Sequence, residues 1–209
     1  MEKVEKFWDR IASRYDAIES NDMAYRIFIE EARRYIKADD TVIDFGCGTG
    51  LICNEIAQNV RTIYAIDTSP GMLEISKSKA SECQIQNIEF SCTSIFDEKF
   101  KEGSIDALIA FNIFHLLEEP LIYFHRINHL LKPGGYILSA TPCMSEAPAL
   151  NLVLKLSSMI GLTPKLNSFS STELEQLFLK ASLKTVKLNR IKPKSPQYFC
   201  ISEKNQGIE

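Results

Sequence analysis

The residues best placed to do chemistry are Asp44, three glycines close behind it, and Asp67 at the end of the next apolar run. Val42-Ile43-Asp44-Phe45-Gly46-Cys47-Gly48-Thr49-Gly50 reads as a strand, a glycine turn and the start of a helix. Glycine permits positive φ and lets a ligand lie against bare backbone. A helix beginning after Gly50 would point free N–H groups and its positive dipole end at that ligand. Asp67 tips the second strand, where such a unit presents a carboxylate to a ribose diol. The spacing is G-x-G-x-G, and Leu51 stands where a dinucleotide fingerprint needs its third glycine. Such a turn alone marks a tight connection in many α/β proteins; with a flanking apolar strand and a following acid it predicts a ligand site.

Asp44 to Gly50 resembles the first motif of the class I S-adenosylmethionine-dependent methyltransferases. That resemblance implies that Asp44 lies near the methionine ammonium and that Asp67 holds the ribose. The ligand so implied carries an ammonium, a sulfonium and a ribose, but no pyrophosphate. Further segments are similar to the same family. Phe7-Trp8-Asp9 through Tyr15-Asp16 resembles its aromatic N-terminal lid, and Ser104 through Leu116 its fourth-strand motif. Leu130 to Gly135 resembles the turn before its fifth strand. Phe169 to Leu183 is similar as well, although Ala181-Ser182-Leu183 replaces the usual Ala-Gly-Phe. After strand three, Ser94 replaces the acid that often contacts the adenine amino group, with the backbone of Ile95 beside it. The resemblance implies a cofactor site drawn from Tyr15, Asp44, Gly46, Cys47, Gly48, Asp67, Thr68, Met72, Ser94, Ile95 and Asn112. For Tyr15 and Met72, plain packing is the alternative role.

Methyl transfer asks mainly for alignment, and a general base only where the acceptor is protonated. His115 is the candidate base, because it follows strand four at the ligand-binding edge of an open α/β sheet. Its alternative role is packing at a helix start. His125 and His129 lie on the next helix among polar residues and read as surface positions. An S-adenosylmethionine-binding protein without transfer activity remains an alternative, and an NAD-dependent oxidoreductase a weaker one.

These residues require a particular frame. Apolar runs alternate with helical periods, which predicts βαβ units and a parallel sheet. The family resemblance implies a Rossmann-like, seven-stranded, mostly parallel sheet with helices on both faces, an antiparallel last strand and a helical lid. Helical periodicity covers about Val4–Ile18 and a segment with Phe28, Ala32, Tyr35 and Ile36 on one face. Strands are expected at Thr41–Phe45, Ile63–Ile66, Ile88–Cys92, Ile105–Ala110 and Tyr136–Ala140, with two short ones around Val186 and Phe199. Ser69 and Pro70 open one helix, and Ser170 with Glu173 forms a capping box for another. Lys132-Pro133-Gly134-Gly135 reads as a turn. One domain, 1–209, is expected, with 1–36 as the lid and 143–168 as an insertion. The apolar stretch 148–162 within that insertion is either a substrate cap, which would suit an apolar or aromatic small molecule, or a helix buried on the sheet or at a dimer contact.

A net charge of −3 argues against a nucleic-acid partner, whose binding face would be basic. The six cysteines form no C-x-x-C pair, so no metal is expected, and they suit a reduced, cytoplasmic setting. Cys92 and Cys200, inside apolar runs, read as buried. The most apolar stretch, Leu150–Leu162, is interrupted by Lys155 and too short to span a bilayer, so no membrane partner is expected. The chain is expected to work as a monomer or homodimer.

Overall fold

The computed structural model describes the backbone of residues 2–19 and 23–206, and the side chains of 5–16 and 24–206. Met1, 20–22 and 207–209, which the expected lid and domain ranges include, lie outside the described residues. The chain runs α1 (Glu2–Glu19), α2 (Met23–Ala32), β1 (Thr41–Phe45), α3 (Leu51–Ile56), β2 (Thr62–Asp67), α4 (Pro70–Glu82) and β3 (Ile88–Cys92). It continues through β4 (Ile105–Phe111), α5 (Pro120–Leu130), β5 (Leu131–Pro142), α6 (Pro148–Met159), α7 (Ser171–Lys180), β6 (Leu183–Arg190) and β7 (Gln197–Lys204).

The seven strands form one sheet in the order β3-β2-β1-β4-β5-β7-β6. The pairings from β3 to β5 are parallel, and β7 runs antiparallel to both β5 and β6. Val42 and Ile43, adjacent in β1, enter different apolar layers, since successive strand residues face opposite sides. Val42 packs with Phe28 and Ala32 of α2 and Ile52 of α3, while Ile43 packs with Phe124 and Ile127 of α5 and Phe178 of α7. Burial on both faces explains why β1 and β4 read as continuous apolar runs. The strand order reverses between β1 and β4, and at such a switch point the loops diverge and leave a crevice beyond the strand ends.

Two expectations change in detail. Lys132–Gly135 is not a turn ahead of the fifth strand. Leu131 already pairs with Ile105, and the ladder resumes at Tyr136 opposite Ala107, so four residues bulge out opposite Asp106. Lys132 Nζ holds the Asp106 carboxylate at 2.6 Å across that bulge. Cys92 is exposed, because β3 is an edge strand with one open side, whereas Cys200 in the interior β7 is buried as expected.

Candidate functional site

The glycine turn is set by two constraints on Gly46. Its φ is +70°, a region that side-chain-bearing residues adopt only with strain, and an added Cβ would lie 2.7 Å from Ile113 Cδ1. Gly46 and Cys47 both donate their N–H to the Ile66 carbonyl, which folds the turn back over β2. Gly48, at φ +53°, differs: a Cβ there would meet only Met72 Sδ and Tyr15 Cε1, each at 4.0 Å. Open space over bare backbone at this position is room for a ligand.

Asp67 closes the other side of the turn. Its Oδ2 accepts from Gly48 N–H at 2.9 Å and its Oδ1 from Ser69 N–H at 2.8 Å. A carboxylate has about four acceptor positions, so roughly two remain for a ligand's hydroxyls. Burial raises the Asp67 pKa, opposed by those backbone donors. Asp44, 1% exposed, sits deeper. Its Oδ2 has no hydrogen-bond partner, and burial lifts its carboxyl to about 7 against hydrogen bonds from Cys53. A buried carboxylate oxygen left unpaired is costly unless something fills the place. Asp44 lines a narrow recess with Cys47, Leu51 and Ile52, and that recess shares Tyr15, Gly46, Gly48 and Phe111 with a larger cavity.

The larger cavity measures about 560 Å³ and opens at the β1/β4 switch point. Its cofactor-facing wall holds Asp67, Thr68, Met72, Thr93, Ser94 and Asn112. Asn112 has φ +56°, a strained position that Asn tolerates better than most residues. Its N–H donates to the Ala140 carbonyl, and its Oδ1 accepts from Gln197 Nε2 at 2.7 Å, so β5 and β7 hold it in place. Ser94 accepts the Phe96 N–H on its hydroxyl. Ile95 is fully buried, gives its carbonyl to Arg126, and is not part of the cavity wall.

Helix α1 covers this wall. Trp8 and Tyr15 meet edge to face at 6.0 Å, and both line the cavity. Two acids fasten the helix down. Asp9 Oδ1 accepts from Ser69 Oγ at 2.5 Å and from Gly71 N–H at 3.0 Å, capping α4 from outside. Asp16 accepts from Thr49 Oγ1 at 2.5 Å and pairs with Lys79. Helix α2, assigned to the lid by sequence, instead buries Phe28 and Ala32 in the core.

His115 lies in a short 3-10 turn, Phe114–Leu116, after β4. The cavity wall is made there by Leu116 and Leu117, and His115 is not part of it. The ring is 9% exposed, its Nδ1 has no partner, and burial lowers its pKa to about 4. The turn sends Phe114 and His115 inward and leaves the leucines towards the cavity. Cys143 is likewise buried and off the cavity wall, its thiol pushed up to about 12 by burial.

Tyr123, Lys165 and Asn167 also line the cavity, and nothing in their local sequence signals it. Tyr123 stacks on Phe45 at 5.9 Å, and burial, with Glu118 nearby, raises its phenol. Asn167 fastens the loop after α6 to the His115 carbonyl through its N–H, at 2.7 Å, and to Leu117 through its side chain.

A family profile described as a methyltransferase domain matches residues 36–185. Among curated proteins, the chain is 30% identical over 146 residues to a malonyl-[acyl-carrier protein] O-methyltransferase of Halalkalibacterium halodurans. That match covers 66% of this chain and 54% of the relative, so the chain spans about half of the relative's length. Among solved structures, it superposes with a TM-score of 0.79 at 16% identity, over 99% of both chains, on a chain of the complex between the Haloferax volcanii Trm112 methyltransferase activator and a methyltransferase. It also superposes on the [4+2]-cyclase SpnF, with a TM-score of 0.75 at 14% identity, covering 98% of this chain and 96% of that one. The structural likenesses establish the fold; the chemistry has to come from the site. Among the described residues no group of acids, histidines and cysteines could hold a metal, and no helix is long and apolar enough to cross a membrane.

Proposed function

The chain belongs to the class I S-adenosylmethionine-dependent methyltransferase family, and on that premise we propose that it transfers a methyl group from S-adenosylmethionine to a small-molecule acceptor. The observation that carries this reading is the unpaired Asp44 Oδ2, buried beside a glycine turn with open space at Gly48. An ammonium group fills that need, and a ligand with net positive charge suits the acids Glu5, Asp67 and Glu118 around the same cavity. When bound, S-adenosylmethionine supplies an electrophilic methyl on a sulfonium.

The protein's part is to bind, orient and exclude water. Asp67 accepts the ribose hydroxyls, and Asp44 takes the ammonium in the recess with the backbone of Gly46, Cys47 and Gly48. Thr68, Met72 and Ser94 surround the adenine, and Asn112, held by Gln197, keeps the floor rigid. Tyr15 and Trp8 close the site, with 1–36 as the lid region, although α2 within it serves the core. Aligning the two reactants in this way is worth roughly 7–11 kcal/mol of barrier. His115, neutral and off the cavity wall, has no base role in this reading. The acceptor lies against Leu116, Leu117 and Tyr123, which suits an apolar or aromatic molecule. Segment 143–168 contributes Lys165 and Asn167 to that side, and so acts as a substrate cap. The six free cysteines support a cytoplasmic setting, with the chain working as a monomer or homodimer.

Calorimetry with S-adenosylmethionine, S-adenosylhomocysteine and NAD tests the cofactor, and release of S-adenosylhomocysteine against a panel of acceptors tests transfer. Binding of both S-adenosyl compounds with acceptor-dependent product release is expected. Binding without release from any acceptor would leave a cofactor-binding protein, and binding of NAD alone would remove the proposal.

A further inference from the structure

Helix α6 is amphipathic in the wrong sense for a helix packed on its own domain. Leu152, Val153, Leu156, Met159 and Ile160 share one stripe at helical spacing, and all are exposed, Met159 at 82% and Ile160 at 73%. The half-buried side carries Asn151, Leu154, Ser157 and Ser158, and no residue of the helix is fully buried. A soluble helix normally turns its apolar stripe inward. Five large apolar groups held in water on one face mark a surface that something covers.

The charges say what. Between Ala147 and Thr172 there are two lysines, Lys155 and Lys165, and no carboxylate, within a chain of net charge −3. Neither lysine has an acid partner among the described residues. The turn containing Lys192 and Lys194 lies at the same end of the molecule. Pro196 takes the Cys143 N–H at 2.7 Å, and Arg190 pairs with Glu146 just before the helix. An apolar stripe flanked by lysines is the pattern of a helix lying in an anionic lipid interface. Self-pairing fits less well. Twelve residues make a helix about 18 Å long. One such pair covers a few hundred Å² per partner at most, against about 800 Å² in a stable interface. It would also bring lysines together without an acid to meet them.

We infer that α6 is an interfacial helix that seats this face of the protein on an anionic lipid surface. The absence of a bilayer-spanning segment does not bear on this, since such a helix lies in the surface and does not cross it. On its other, half-buried side the helix is tied to a loop that borders the cavity. Ser168 Oγ donates to Asn151 of α6 at 2.6 Å, and Lys165 and Asn167 of the adjoining loop form part of the cavity wall. Seating α6 on lipid therefore holds the loop with Lys165 and Asn167 close behind the membrane contact; the lipid contact itself does not depend on the methyl-transfer reading.

The test is co-sedimentation of the full chain with phosphatidylcholine vesicles, with and without phosphatidylglycerol. Binding to the phosphatidylglycerol vesicles, weakened by salt, is expected. The double variant Leu156→Asp/Met159→Asp should lose at least about tenfold in vesicle affinity, and Lys155→Glu severalfold. All three substituted positions are solvent-exposed, so thermal unfolding and S-adenosylmethionine calorimetry should match the parent. No binding to either vesicle overturns the inference, as does binding that the variants leave unchanged. A dimer in sedimentation velocity that Leu156→Asp/Met159→Asp disperses, without vesicle binding by the parent, would make the face a self-interface and overturn it too. Loss of cofactor binding in the parent would instead count against the methyl-transfer reading alone.

Discussion

The wall of the cavity around β1 and β2 is made largely of backbone and short acids, whereas the wall opposite is made of side chains gathered from α5, the loop after α6 and the turn after β4. In the first, Gly46, Gly48, Asp44 and Asp67 lie within 24 consecutive residues. Their conformations are tied together by hydrogen bonds from Gly46, Cys47, Gly48 and Ser69. In the second, Leu117, Tyr123 and the pair Lys165 and Asn167 come from three separate stretches of chain, joined by the loop clasp at Asn167. A ligand common to a whole family can be met by a fixed backbone shape, which must be written as glycine and acid at fixed spacing. A ligand particular to one protein is met by side chains on changeable loops.

If the backbone-built wall is the cofactor's, its largest single effect belongs to Asp67. Asp67→Ala should weaken S-adenosylmethionine binding by roughly 1.5–3 kcal/mol, the range for hydrogen bonds to a charged group. That is about ten- to hundredfold in dissociation constant. The structure adds a cost in stability, because Gly48 and Ser69 N–H would each lose an acceptor. Orphaned donors cost about 1–3 kcal/mol each where water cannot reach them. Asp67→Asn keeps an amide oxygen and should fall between the two. Calorimetry and ligand-free thermal unfolding separate the effects, and unchanged affinity in a folded Asp67→Ala would detach this wall from the cofactor.

Asp44 should give the next largest effect, and a pH signature with it. Its folded pKa, about 7, lies above its ordinary 3.8, with burial as the main cause. The neutral acid thus stabilises the ligand-free fold at low pH, and that contribution is lost as pH rises through about 7. An ammonium in the recess favours the ionised form, so S-adenosylmethionine should bind more tightly as pH rises through the same point. Below it, binding should release a proton, seen as a calorimetric heat that depends on the buffer. Asp44→Asn should abolish both the proton release and the pH dependence while weakening binding at alkaline pH. Proton release that persists in Asp44→Asn would assign it to another group, with Asp67, also raised by burial, the first to examine.

Much of the backbone-built half was legible in the sequence because its demands are local: positive φ at Gly46, an acid at a strand tip, Ser69 and Pro70 at a helix start. The inner strands β1 and β4 were legible too, as runs buried on both faces. The Lys132–Gly135 bulge was not, since only the pairing of Ile105 with Leu131 places strand before it. Cys92 misled because edge position is a property of the sheet and not of the run. In the lid the aromatics drew attention, while the fastening is done by Asp9 and Asp16 beside them. Tyr123, Lys165 and Asn167 carry no local mark, because they meet only through the fold.

Those two acids offer a smaller test of the same wall. Asp9→Ala and Asp16→Ala should each weaken cofactor binding by about 1 kcal/mol or less, since the Asp16 pair with Lys79 is partly exposed and screened. Together they should approach the loss expected on deleting residues 1–20, a truncation that should leave the sheet folded. A double variant with full affinity would show that α1 covers the site without contributing to binding.

The smallest effect is expected at His115, whose carbonyl accepts from Asn167 but whose side chain is no part of either cavity wall. A base there would give a rate that falls on protonation and collapses on substitution. The structure instead holds a buried, neutral ring whose Nδ1 lacks a partner. His115→Leu removes that unpaired polar atom at similar volume, so kcat should stay within about twofold and the thermal midpoint should hold or rise. Its pKa, lowered from 6.5 to about 4 by burial, also fixes a sign. The neutral ring's stabilising contribution is present above 6.5 and is lost as pH falls towards 4, because the unfolded chain takes up the proton first. His115→Leu should therefore flatten the stability loss across that interval, which urea titrations at several pH values would measure. A fall in kcat of a hundredfold or more in a folded His115→Leu, with cofactor affinity unchanged, would restore the base. It would also require the turn after β4 to move its histidine into the acceptor side of the cavity during turnover.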